Sequence, residues 1–225
     1  MSRFSTWLSA AAMVAVLATA CTSAPYLGRV APDRSCTIER LAWMPSVPLT
    51  MLDALRSPPL SDEEARLAGE CVEASRHANL ARSDHPVARE HAAWQRMTVQ
   101  AYRSEHGSRG LNVNIFVDRL AAGYIKFEDG DPMPVGARIA KASFAVTHDG
   151  LVSGGPLFAM EKMPPGFDPG GGDWRYTLIG PDGTLIGETG GRNAEEVRFC
   201  FTCHEAARGQ DFLLFPAPLY RRKGS

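Results

Sequence analysis

"ARIAKASFAVTHDGLVSGGPLFAMEKM", residues 137–163, decides the fold. Its first part, residues 137–148, alternates with the period of two that a β-strand requires. A turn signal follows over residues 149–155, "DGLVSGG", and residues 156–163 read as a second strand, antiparallel to the first. Outward from this pair, "LNVNIFV" (111–117) alternates in the same way, and "DWRYTLIG" (173–180) and "TLIGE" (184–188) flank the hairpin signal "PDGT" at 181–184. Four to five short strands joined by brief turns predict an α+β fold with a mostly antiparallel sheet. Helices are expected on its flanks. "SDEEARLAGECVEASRHANLARS" (61–83) starts with Ser61 as a capping residue and acidic residues in the first turn, then carries apolar residues at helical spacing. Residues 85–107 read as a second helix, although Met97 to Tyr102 alternate and read equally well as the first strand. "DRLAAGYIKF" (118–127) suits a short helix or turn, and residues 193–215 read as a closing helix capped by Asn193.

Composition bounds the class. A chain of 225 residues with 44% apolar and 22% charged residues is long enough to bury a sizeable core. A formal charge of −1, with no long Lys/Arg run, excludes a nucleic-acid footprint, which needs a basic stripe. Residues 1–20 read as an export signal: Arg3, then an apolar stretch from Trp7 to Ala20 too short to span a bilayer. Ala18-Thr19-Ala20 suits an ordinary signal peptidase, while Leu17 to Cys21 resembles a lipoprotein box. The Cys directly after the small residues favours the lipoprotein, tethered in the periplasm by acyl chains on Cys21. Residues 21–60 then form an irregular tether, 61–91 a helical extension and 92–225 the main domain. Outside the cytoplasm disulfides persist, so Cys36 and Cys71 are expected to pair, the alternative being two buried thiols.

The remaining cysteines stand in "RFCFTCHEAA", residues 198–207. Cys200 and Cys203 with His204 directly after them have the spacing of haem c attachment, in which both thiols bond the porphyrin and the histidine ligates iron. A zinc site needs a second ligand pair, and the other cysteines are single and remote. A redox dithiol normally follows a strand near the start of a thioredoxin-like domain. Haem c attached through Cys200 and Cys203, with His204 as metal ligand, is therefore the expected cofactor. Strand patterns before the motif fit neither the all-helical cytochromes c nor the four-helix cytochromes c′.

With its strand "NVNIFV", the segment "PVGARIAKASF", the stretch "MEKMPPGFDPGGGDWRY" and "CFTCHEAARGQDFLLF", the chain resembles the cytochrome P-460 family, which includes cytochrome c′-beta, over about residues 92–220. The resemblance implies a haem cross-linked to a lysine, which by position is Lys141, and a pocket carboxylate that accepts protons, for which Glu161 is the nearest residue and Asp168 a substitute. The residues themselves place Lys141 on a strand face with Ile139, Ser143 and Ala145, where burial would lower its pKa, or else in water. Glu161 shares a face with Leu157 and Ala159, either as a buried acid or as a rim residue paired with a cation. Phe144 and Phe158 are expected pocket walls. Met160 and Met163 read as core residues and the remaining histidines as surface or hydrogen-bonded ones, which leaves five-coordinate iron with an open distal side. The activity the resemblance implies is oxidation of a small nitrogen species such as hydroxylamine, with nitric oxide chemistry, a periplasmic redox partner and a homodimer. A nitric oxide binder without turnover and a periplasmic electron carrier are the alternatives.

Overall fold

The computed structural model describes residues 33–38, 59–104, 110–147 and 149–223; the export signal, Cys21, most of the tether and His148 lie outside them. Among the described residues eight strands form one antiparallel sheet: β1 (Asp33–Thr37), β2 (Gln95–Arg96), β3 (Tyr102–Arg103), β4 (Asn112–Val117), β5 (Arg138–Val146), β6 (Leu151–Lys162), β7 (Trp174–Ile179) and β8 (Leu185–Glu188). The order runs β2-β4-β5-β6-β7-β8, with β3 also on β4 and β1 on β6. Five of these are the strands expected from alternation. The three additions arise where no period can be read: β1 comes from the tether, and two-residue β2 and β3 from the stretch read as a second helix. That stretch is helical only at Pro86–Glu90, followed by a 3-10 turn at His91–Ala93.

Strand β6 is longer than expected: it already begins at Leu151, directly after Gly150, whose amide donates to the Thr147 carbonyl. The strand then absorbs an irregularity. Ala142 faces Leu157 but Phe144 faces Gly154, so β6 carries one extra residue opposite Ser143 and its inward parity reverses there.

The first helix, α1 (Asp62–Ala81), begins as its sequence predicts: Ser61 and Glu64 close a capping box behind three acidic residues. It covers one face of the sheet. Ala65, Ala68 and Val72 pack with Cys36, Phe144 and Val152, and Leu80 packs with Ala142, Leu157 and Ile179. A disulfide between Cys36 and Cys71, with Cα atoms 5.8 Å apart, ties α1 to β1. Buried Arg76 reaches from α1 into the bulge, donating to the carbonyls of Ser143 at 3.1 Å and Gly155 at 3.3 Å. The segment 61–91 is thus a cap on the sheet, sharing its core.

The opposite face carries the larger core, in which Ile115, Ile139, Met160, Trp174 and Tyr176 meet the C-terminal segment. That segment is not one long helix. A single α-helix, α2 (Arg198–His204), lies between 3-10 turns at Ala194–Val197 and Glu205–Gln210. Asn193 does not cap it: its backbone is left-handed and its amide donates to the Ile186 carbonyl at 2.9 Å. Gly187 lets the preceding turn approach, since a Cβ there would sit 2.5 Å from the Asn193 carbonyl oxygen.

Candidate functional site

Between the sheet and α2 lies a largely apolar cavity that opens to solvent. Register explains its sheet wall. Ile115, Lys141, Phe158 and Leu178 stand opposite one another across β4 to β7, and Ile139, Met160 and Tyr176 form the next row. Alternation sends all of them to one face. From the other side Cys200, Cys203 and His204 close the cavity, because a helical turn puts residues three and four apart on one face. The expected residues Lys141, Phe158, Cys200, Cys203 and His204 are therefore brought together.

Two expected residues are not. Glu161 lies on the same side of the sheet as Leu157, away from the cavity, and its carboxylate pairs with Arg175 at 3.5 Å. Phe144 packs in the core under α1 with Val72 and Ala101. Both corrections have one cause: odd residues of β5 and, on this side of the bulge, even residues of β6 face the cavity, and neither Glu161 nor Phe144 has that parity. Asp168 does lie on the site's side, in an adjoining cleft shared with Tyr176 and Phe201. Met160, read as core, is also a cavity wall.

Electrostatics distinguish the two polar groups at the centre. Lys141 is half-buried in the cavity wall, and desolvation lowers its pKa to about 8, with Cys200 opposing the fall. Burial pushes the Cys200 thiol up to about 12, with Lys141 opposing. Cys200 is a free thiol, while Cys203 is disulfide-bonded.

His204 is oriented from behind. Its Nδ1 lies 2.7 Å from the carbonyl oxygen of Phe212, an atom that can only accept, so Nδ1 carries the proton and the neutral ring has its lone pair on Nε2. The residue types suit haem c, two sulfurs and an imidazole in the tautomer that would ligate iron, although Cys203 is held in a disulfide. Haem attachment requires the Cys203 sulfur in its reduced form. Among the described residues no three His, Cys, Asp or Glu side chains are grouped to hold a metal ion on their own. No helix among them is long and apolar enough to cross a membrane.

Sequence reading missed Tyr176 and Tyr124. The Tyr124 hydroxyl donates to the Leu214 carbonyl at 3.1 Å and holds the C-terminal segment over the cavity. Tyr176 stands 5.3 Å from the His204 ring, centroid to centroid, and its buried hydroxyl has no hydrogen-bond partner among the described residues. Burial first, then Cys200, Asp168 and Asp211, raises its pKa, so it stays a neutral phenol. The only legible signal was its parity on β7. Leaving such a donor unpaired costs about 1–3 kcal/mol, so Tyr176→Phe should raise the stability of the protein by roughly 1 kcal/mol in urea unfolding. An unchanged or lower stability would show that the hydroxyl is satisfied. No protein-family model matches the chain, and no curated protein matches it.

Proposed function

We propose that the protein is an exported monohaem c-type cytochrome that oxidises a small nitrogen species of the hydroxylamine type. The observation that carries the reading is the convergence of Cys200, Cys203, His204 and Lys141 on one largely apolar cavity. Cys200 and Cys203 would hold the haem through thioether bonds, and His204 would ligate its iron through Nε2. Bound haem would supply redox-active iron chemistry. Lys141, desolvated and easily deprotonated, would supply a nucleophilic amine to the macrocycle. Its nitrogen would replace a hydrogen on a ring carbon while two electrons and two protons pass to a peroxide oxidant, which leaves as water. Ile139, Phe158 and Met160 exclude water from the same wall. The proton-accepting carboxylate is Asp168, on the site's side of the sheet. Electrons pass to a one-electron acceptor in the periplasm.

One observation favours a second reading. The residues lining the cavity include no carboxylate, which suits a nitric oxide binder without turnover. Protein matured with a c-type haem assembly system separates the two. Proteolysis and mass spectrometry should give one haem peptide joining the Cys200–Cys203 segment to the Lys141 segment, and the holoprotein should reduce a one-electron acceptor with hydroxylamine. Haem on the Cys200–Cys203 peptide alone, with nitric oxide binding and no turnover, would put the gas binder in its place. Chains that retain the Cys203 disulfide and take up no haem would end both.

A further inference from the structure

We infer that Lys162 and Asp211 are positioning residues for His204, acting through a strained backbone corner; this rests on His204 being the iron ligand. Asp211 and Phe212 are consecutive non-glycine residues with φ of 54° and 60°. Non-glycine residues occupy that region only where their surroundings impose it. Here four contacts impose it. The Asp211 carboxylate accepts from the Met133 amide at 2.8 Å and forms an ion pair with Lys162. Its backbone carbonyl accepts from Trp174 Nε1 at 2.8 Å, and the Phe212 amide donates to Ala207 at 2.9 Å. The Lys162 ammonium also lies 4.9 Å from the centre of the Trp174 ring, so one cation secures both partners of the corner.

The product of this geometry is a single atom. With the corner in place, the Phe212 carbonyl oxygen points at His204 Nδ1, fixing the tautomer and the ring plane together. Lys162 and Asp211 are half-buried, joined to each other, and absent from the cavity lining. An ion pair so placed is poorly explained as surface solvation. It is well explained as the clamp of a ligand's supporting shell.

The test uses the full chain in two forms. In haem-free protein labelled with ¹⁵N-histidine, His204, assigned by its loss in His204→Gln, should show one tautomer, protonated at Nδ1. Lys162→Met keeps the packing on Trp174 but removes the charge, and it should convert that signal to a mixture of tautomers, as should Asp211→Asn. Lys162→Arg should restore the single tautomer. In ferrous holoprotein the iron–histidine stretching band should move to lower frequency and broaden in Lys162→Met and Asp211→Asn. An unchanged His204 tautomer in folded Lys162→Met would overturn the inference, whatever Asp211→Asn does. A changed tautomer in protein that never takes up haem would leave the clamp standing and defeat the haem reading instead.

Discussion

Lys141→Met should stabilise the haem-free protein by about 3 kcal/mol at neutral pH, and the gain should fade in alkali. The amine sits in an apolar cavity wall between Ile115 and Phe158, where desolvation brings its pKa from 10.5 to about 8. That difference, at about 1.4 kcal/mol per pKa unit, is the penalty for keeping the charged amine folded at pH 7. The sign follows from proton binding. Between pH 8 and 10.5 the unfolded chain holds a proton on Lys141 that the native state has lost, so wild-type stability rises with pH across that window relative to the Met variant. Below pH 8 both states are protonated and the full penalty is present. The Cys200 thiol titrates in the opposite sense, being raised from 9 to about 12, but it is present in both proteins and cancels in the comparison. Urea unfolding of the two proteins at pH 7 and pH 10.5 reads the difference directly. A constant gap would mean that Lys141 reaches water. If the proposed function holds, the same substitution in haem-loaded protein should give no haem cross-link and no turnover of hydroxylamine.

The spacing that faces Cys200, Cys203 and His204 the same way is a local property and was legible. Alternation put Lys141 on one face with Ile139 but left open whether that face met water, and the family resemblance turned it toward the cavity. The same rule, carried consistently, excludes Phe144 and Glu161. Phe144 differs from Lys141 by an odd number of residues along β5, and Glu161 differs from Phe158 by an odd number along β6. Their residue types suited a haem pocket, but a strand assigns faces by parity alone. The bulge near Gly155 is harder to read, since it depends on Arg76 arriving from α1. Strands β2 and β3 are too short to carry a period, and they form because long β4 offers an edge. Least legible of all is the corner at Asp211 and Phe212. Nothing in "GQDFLL" requires left-handed backbone, and the partners that impose it, Met133, Lys162 and Trp174, come from distant parts of the chain.

Gly172→Ala should be among the most damaging single-atom additions to the site, lowering stability by roughly 3–5 kcal/mol. Two effects combine. Gly172 has φ of 67°, a conformation that costs an L-residue about 1–2 kcal/mol. Its added Cβ would also stand 2.5 Å from two carbons of the Phe212 ring, and overpacking in a filled core typically costs about 1–3 kcal/mol and sometimes more. The ring has little room to yield: Phe212 is buried, and its own backbone is held by Ala207 on one side and the Asp211 clamp on the other. Relief must come by moving Phe212, and with it the carbonyl that orients His204. Loss of stability and loss of the single His204 tautomer should therefore appear together in this variant. Phe212→Leu supplies the control, since a smaller side chain leaves space for the methyl group while keeping the backbone carbonyl. Combined with Gly172→Ala it should recover part of the lost stability, a favourable coupling that a double-mutant cycle measures. Strict additivity of the two substitutions would show that the methyl group is accommodated without Phe212 moving, and the glycine would then be required for its backbone conformation alone.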